Sequence, residues 1–378
     1  MTIGIDTRFL SEGKRTGVEE YTIYLLHSLF EMDSRNVYRL FYNSYRGLNG
    51  SVAQFGIYPN VEIYRFRYPN KLLNLFFKFL RYPHIDRLLG GCDILFYPNI
   101  TFGANSSNCK VVSTFHDLSF VFHKEFLSVK KKIWHEFVNP KKQALISDHI
   151  IAVSAYTAND LVSNYGTSLN KISVVYSGVN PVTADIVKRE DYVKNKYNLP
   201  DKFILYLGTL EPRKNVSGIL KAFEILCKNG RINHGLVIAG SKGWLYHELF
   251  KLAKESKFQD KIKFAGFVDD KDKLVVYALA DVFVFPSFYE GFGFPPLEAM
   301  SVGTPVVTST VSSLPEVVGD AALLVNPYNI NEIAMGIDNI INDKKLRNEF
   351  IKRGWERVRK FSWRRAATET LKVFERII

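Results

Sequence analysis

Residues 203–215 read FILYLGTLEPRKN: five apolar or aromatic residues, a glycine, and a polar loop ending in Arg213, Lys214 and Asn215. A helical pattern follows over 216–228. An unbroken apolar run of this length beside a helix predicts a strand buried on both faces, as in a parallel sheet covered by helices. The rhythm continues with strands expected over 236–239, 261–264, 282–285, 305–308 and 322–325. Helices fill the gaps at 245–256, 270–278, 296–302 and 329–341. The first half repeats the pattern less cleanly. Strands are expected at 2–5, 38–42, 61–64, 94–97, 111–115, 150–153 and 172–176, with helices over 18–30, 71–89, 127–146 and 154–164. Two such series predict an α/β protein of two doubly wound domains, which suits a chain of 378 residues. The turn-rich and then charged stretch 177–201 holds the expected boundary, with domains over 1–182 and 183–362. The remainder, 363–378, is helical and basic.

Composition narrows the classes. Hydrophobic residues make up 47% and charged residues 23%, which excludes disordered and fibrous chains. Cys92, Cys109 and Cys227 stand far apart, with no CxxC pair to build a zinc site or a disulfide framework, as suits a reducing compartment. Residues 1–10 carry Asp6 and Arg8, so no signal-like apolar core is read there, and no run of about 20 apolar residues predicts a spanning helix. The notable figure is the charge, +12 from 50 Lys+Arg against 38 Asp+Glu. Such a balance suits nucleic acid, an anionic membrane or a phosphorylated small molecule.

Open parallel sheets bind ligands beyond the carboxyl ends of their strands, where helix N-termini favour anions. Arg213 and Lys214 fall there, at the start of the helix after the 203–207 strand. Two cations at a helix N-terminus are unfavourable without an anion, so they read as diphosphate ligands; the plainer alternative is a solvated basic turn. After the 282–285 strand comes PSFYEGFGFPPLE, residues 286–298. Gly291 and Gly293 let backbone approach a ligand, and Pro295 and Pro296 pre-set a helical turn. Glu290 and Glu298 are then placed to address two ends of one ligand; the plainer readings are loop polarity and complementing the helix dipole. Gly17 opens the helix after the first strand, in a loop that is neither GxGxxG nor a P-loop. His116 ends the 111–115 strand and can hydrogen-bond a substrate hydroxyl or serve as an ordinary satisfied histidine.

The ordered set resembles a known family. Glu290 and Glu298, in EGFGFPPLE, match the E-x7-E signature of retaining glycosyltransferases. GTLEPRKN (208–215) looks like the phosphate-binding element of glycosyltransferase family 4. AGFVDDKDKLVVYALADVFVFPS, EGFGFPPLEAMSVGTPVV and LPEVVGDAALLVNP match the same family over 203–327. In the first half GIDTRF, TGVEEY, TFHDL and SAYTANDL are similar to a subgroup of bacterial surface-polysaccharide glycosyltransferases, often mannosyltransferases. The resemblance implies the GT-B architecture: two facing Rossmann-like domains with an interdomain cleft, the acceptor on the first domain and the nucleotide sugar on the second. It implies that 363–378 crosses back to the first domain. It assigns Arg213 and Lys214 to the donor diphosphate, with Thr209 beside them, Glu298 to the ribose and Glu290 to the donor sugar. The backbone of Gly291, Phe292, Gly293 and Phe294 is expected against sugar or phosphate. Gly17 would approach the diphosphate, His116 the transferring sugar, and Phe267 and Val268 the nucleobase.

Departure of a diphosphate from an anomeric carbon develops negative charge that preorganised cations stabilise. With no DxD-like dyad evident, and Asp269-Asp270 read as a helix cap, no cofactor and no metal ion is expected. Front-face attack, with retention, is preferred to a double displacement because no second carboxylate is clearly placed as nucleophile. The expected function is hexosyl transfer, mannose from GDP-mannose, to a glycan or lipid-linked saccharide in cell-surface polysaccharide and lipopolysaccharide synthesis. A UDP-sugar transferase, a sugar-phosphate-using phosphorylase or synthase, and a nucleotide-sugar-binding regulatory protein share the fold and stay open.

Much of the basicity is local. Residues 65–87 hold six Lys/Arg against one acid, 124–142 six against two, and 343–378 twelve against five. The first two interleave aromatics such as Phe76, Phe79, Tyr82, Trp134 and Phe137, which suits peripheral contact with an anionic membrane or, more plainly, a solvated basic face over a core. No nucleic-acid signature accompanies them, so nucleic acid is not an expected partner. The expected location is the cytoplasm, at the inner face of the membrane.

Overall fold

The computed structural model describes residues 1–12, 16–45, 47–180, 186–244 and 246–378. The expected boundary at 182/183, Leu245 at the start of one expected helix, and Lys14 and Arg15 lie outside them.

By contacts the chain forms two units. The first comprises Met1–Phe120, Val129–Gly178 and Phe361–Ile378; the second comprises Val121–Ser128 and Val179–Lys360. The units therefore change over between Gly178 and Val179. The short excursion at Val121–Ser128 was not foreseen.

The first unit holds seven parallel strands: β1 (Thr2–Asp6), β2 (Val37–Asn43), β3 (Val61–Phe66), β4 (Ile94–Tyr97), β5 (Lys110–Phe115), β6 (His149–Ala152) and β7 (Ile172–Val174). Their order is β3-β2-β1-β4-β5-β6-β7. The second unit holds six: β8 (Phe203–Leu207), β9 (Gly235–Ala239), β10 (Ile262–Gly266), β11 (Val282–Phe285), β12 (Val306–Ser309) and β13 (Leu323–Val325). Their order is β10-β9-β8-β11-β12-β13, again all parallel. Every residue of β4, β6, β8, β11 and β12 is buried, and β4, β8 and β11 accordingly read as unbroken apolar runs. In each sheet the winding reverses beside the first strand, between β1 and β4 and between β8 and β11. These are the points where doubly wound sheets open to ligands.

Local signals set the helix ends. The Ser154 hydroxyl caps Ala155–Tyr165 by accepting from the Thr157 amide at 3.0 Å, and Gly166 closes that helix in the left-handed region at φ 69°. Two long expected helices are each broken. The stretch 71–89 becomes Asn70–Phe79 and Ile85–Leu88, because Arg81 is left-handed and Pro83 follows. The stretch 127–146 becomes Val129–Val138 and Pro140–Ile146, split where left-handed Asn139 precedes Pro140. Asp269 stands at the N-cap of Asp270–Ala278, but its carboxylate bonds the Lys196 ammonium at 2.5 Å instead of capping the helix.

The C-terminal helix Trp363–Ile377 belongs to the first unit. Trp363 stacks on Tyr24 at 5.6 Å and meets Tyr21 edge-on, and Phe374 meets Phe96. Burying each such side chain is worth about 1.5–3 kcal/mol. A Cβ at Gly178 would lie 2.2 Å from the Trp363 amide nitrogen, so a side chain there would force this packing apart.

Candidate active site

The charged residues singled out in the second unit gather at its reversal point. The β8 strand is followed by Gly208, whose amide donates to the Ala239 carbonyl at 3.0 Å. Pro212–Lys214 forms a single 3-10 turn. Asn215 then takes the left-handed region, φ 56° and ψ 38°, and the helix Val216–Lys228 begins. The Asn215 amide group donates to the Pro286 carbonyl at 3.2 Å and the Pro327 carbonyl at 2.7 Å. One side chain thus fixes the loop after β8 to those after β11 and β13. A Cβ at Gly218 would lie 2.5 Å from the Asn215 side chain, so a glycine makes room for it.

The loop after β11 comes to meet this turn. The Phe288 amide donates to the Arg213 carbonyl at 2.9 Å. The Arg213 guanidinium donates to the Tyr289 carbonyl, lies 3.0 Å from one Glu290 oxygen, and reaches Glu211 at 2.8 Å. The Lys214 ammonium bonds the other Glu290 oxygen and sits 4.9 Å from the centroid of the Phe285 ring. These four charged side chains are only 9–14% exposed. The two cations are therefore not left facing a bare helix terminus, as the sequence suggested: Glu211 and Glu290 neutralise them. Burial pushes the Glu290 carboxyl up, but Arg213 and Lys214 outweigh it and hold the group below its ordinary value. Burial, with Arg213 adding to it, lowers the Lys214 ammonium despite Glu290.

Glu290 is held from behind as well. Its amide donates to the Ser312 hydroxyl at 3.0 Å, and the Ser313 hydroxyl donates to the Glu290 and Phe292 carbonyls at 2.9 and 2.8 Å. Gly293 sits at φ 111°, where a Cβ would also press Leu314 at 2.8 Å, and Phe294–Ser301 follows with its prolines in the first turn. Glu298, 8% exposed, meets Lys273 at 2.6 Å and the Tyr277 hydroxyl at 3.1 Å. Thr209 is exposed on the β8 loop. Phe267 is 60% exposed, whereas Val268 is buried. The segment Val121–Ser128 packs here too: Phe122 stacks on Tyr289 at 5.8 Å, Phe126 on Phe288 at 5.9 Å, and the Trp244 indole donates to the Phe126 carbonyl.

In the first unit Gly17 is the exposed first residue of the helix Gly17–Met32, behind a capping box built by Thr16 and Glu19. His116 follows β5. Its Nε2 lies 2.8 Å from the Pro98 carbonyl, and its ring meets Tyr21 edge-on at 4.7 Å. A carbonyl can only accept, so Nε2 carries the proton and the neutral ring keeps Nδ1 as an acceptor. Burial lowers the His116 pKa against the opposing pull of Pro98 and Asp117, which favours that neutral form. Among the described residues no group of three His, Cys, Asp or Glu stands placed to hold a metal ion.

Two family models match side by side: Glycosyltransferase Family 4 over residues 15–182, and Glycosyl transferases group 1 over 187–357. O-antigen chain mannosyltransferase B of Escherichia coli is 34% identical over 282 residues, covering 70% of each chain. The chain belongs to this glycosyltransferase family. A serotype-specific mannosyltransferase, WbdA of Escherichia coli, is 29% identical over 284 residues; the match covers 74% of this glycosyltransferase but 35% of that longer protein. Among solved structures, a sucrose-phosphate synthase from Thermosynechococcus elongatus superposes with a TM-score of 0.75 at 20% identity, covering 100% of this chain and 99% of that one. It shares the GT-B fold of two Rossmann-like domains.

The structure of this glycosyltransferase brings Arg213, Lys214 and Glu290 together and gives Glu298 a separate pair of partners. Sequence reading missed Glu211, Asn215, Lys273, Tyr277, Ser312 and Ser313. Only Glu211 and Asn215 carried a local hint, standing within the GTLEPRKN loop.

Proposed function

We propose that the protein transfers a mannosyl residue from GDP-mannose to a glycan or lipid-linked saccharide, with retention at the anomeric carbon and without a metal ion. The observation that carries this reading is the buried cluster of Arg213, Lys214, Glu211 and Glu290 at the reversal point of the second sheet. The curated relatives named as mannosyltransferases support the choice of sugar.

The cluster is neutral as it stands. A diphosphate entering beside it competes with Glu290 for Arg213 and Lys214, and each cation that turns to phosphate frees part of the Glu290 carboxylate for the sugar. The bond between the anomeric carbon and the β-phosphate oxygen breaks, and that oxygen takes the electron pair. Arg213 and Lys214 stabilise this charge as it develops. The acceptor hydroxyl attacks from the same face, forms the new bond to the anomeric carbon, and passes its proton to the departing phosphate oxygen. Glu298, oriented by Lys273 and Tyr277, is proposed to hold the ribose. His116 Nδ1 is proposed to accept a hydrogen bond from a sugar hydroxyl.

A thermal-shift panel of GDP, UDP, GDP-mannose and UDP-glucose tests the reading. GDP and GDP-mannose should raise the unfolding temperature most, since a ligand at 100 times its Kd adds about 2.7 kcal/mol. Failure of every nucleoside diphosphate to stabilise the protein would sink it. Preference for UDP would change the donor only, and NMR of the product's anomeric proton decides between retention and inversion.

A further inference from the structure

Two helices of the first unit, distant in sequence, share one unusual surface. Asn70–Phe79 buries Leu73 and Phe77, one turn apart, as a surface helix should. Its other flank is also apolar: Leu72, Leu75, Phe76 and Phe79 are 40–67% exposed, and Leu80 and Tyr82 beyond it are 65% and 61% exposed. Val129–Val138 buries no residue at all, yet carries Val129, Ile133, Trp134 and Phe137, which are 38–72% exposed. A ten-residue helix is marginal in water without a packed face.

The two are pinned to each other. The Lys78 ammonium donates to the Phe137 carbonyl at 2.9 Å and sits 3.2 Å from the centroid of the Phe137 ring, and Phe79 meets Phe137 edge-on at 6.1 Å. The exposed apolar flanks of the two helices thus meet at Phe79 and Phe137, and basic residues accompany them. Lys71, Arg81, Lys130, Lys131 and Lys132 are exposed, with Glu136 the one acid on the second helix. Apolar residues alone would suit a protein partner or a second copy. Aromatics mixed with this many cations match a surface that is apolar inside and negative at its rim.

We propose that this paired-helix patch docks on an anionic lipid bilayer, inserting Phe79, Leu80, Ile133 and Trp134 to headgroup depth while the lysines meet lipid phosphates. No helix among the described residues is long and apolar enough to cross a membrane. The inference rests on this surface alone and stands apart from the donor chemistry.

Co-sedimentation of the full chain with vesicles tests it, comparing phosphatidylcholine alone with phosphatidylcholine containing phosphatidylglycerol. Binding should require the anionic lipid and weaken with salt. Each basic residue near such a surface contributes about fivefold, so Lys130→Glu/Lys132→Glu, which reverses two charges, should lower partitioning on the order of a hundredfold or more. Phe79→Ser/Leu80→Ser should lower it with the charges intact. Lipids brominated near the headgroup should quench wild-type fluorescence, and Trp134→Phe should abolish most of that quenching. Circular dichroism and nucleotide-induced thermal shifts on each variant check the fold and the donor site. Equal binding to neutral vesicles, unchanged binding by both folded double variants, or a stable dimer in solution that protects Trp134 from a soluble quencher would each overturn the proposal.

Discussion

Arg8 and Arg213 occupy matching places in two sheets of the same winding, each in the loop after the first strand of its unit. Arg8 is neutralised locally, by Asp6 two residues away, and is sealed between the Phe41 and Phe77 rings with a further bond to the Phe102 carbonyl. Arg213 is neutralised in part from afar, by Glu290 on the loop after β11, and Lys214 joins it there. The first arrangement is closed: carboxylate, carbonyl and two rings cover the guanidinium. The second is built from two cations and two carboxylates, which the proposed function has exchange partners when an anion arrives. The same scaffold position serves packing in one unit and, in the function proposed above, chemistry in the other, and the positions of the countercharges distinguish the two.

The largest expected effect breaks the closed pair. Asp6→Asn leaves a buried guanidinium without its carboxylate and should destabilise the first unit by about 3–5 kcal/mol in urea denaturation. The donor-induced thermal shift of the protein that remains folded should survive. An unchanged midpoint would mean that the Arg8 pair is dispensable and that the contrast between the two arginines is false.

Lys214→Ala attacks the open cluster. Glu290 keeps Arg213, so the fold should hold, while kcat falls by about 10²–10³, the usual loss for one preorganised charge stabiliser. Steady-state transfer assays beside unfolding curves separate the two effects. If stability falls and kcat does not, the cluster is structural like its counterpart. Activity that withstands EDTA would support the part of the proposal that gives these cations a metal's role.

Asn215 measures how much of the open cluster depends on its support. Asn215→Gly tolerates the left-handed backbone but leaves the Pro286 and Pro327 carbonyls without their donor, costing about 2–3 kcal/mol and raising the donor KM. That residue also shows where sequence reading stops. Both sheets were legible because parallel strands buried on both faces are plain apolar runs, and glycine or polar loops marked their ligand ends. Arg213, Lys214, Glu290 and Glu298 stood out by residue type and spacing on those loops. The pairing of Lys214 with Glu290 spans 76 residues and that of Asn215 with Pro327 spans 112, and no local pattern encodes a contact across such distances. Ser312 and Ser313 look like any turn serines until the fold sets them behind Glu290. The helix breaks at Arg81 and Asn139 were signalled by the prolines that follow, but helical periodicity on either side masked them.

The smallest expected effect concerns His116, the histidine that follows β5 in the first unit. Burial holds its pKa below the ordinary value of about 6.5, so the folded state binds a proton less readily than the unfolded chain. The ring's stabilising contribution is therefore complete above about pH 6.5 and is lost as pH falls through that value and on through the lower folded pKa. Other wholly or partly buried histidines behave alike: burial lowers His135 to about 4, and His149 and His234 are also lowered. The useful quantity is thus the difference between wild type and His116→Gln. That difference should shrink as pH falls from 7.5 to 5. In kinetics, protonation turns Nδ1 from acceptor to donor, so wild-type kcat/KM should drop on the acid side by about fivefold, the worth of one neutral hydrogen bond of about 1 kcal/mol. Glutamine keeps an acceptor oxygen at every pH, so the variant should be slower near neutrality but lack this acid limb. An acid limb of equal depth in both proteins would assign it to another group and return His116 to a purely structural place beside Pro98 and Tyr21.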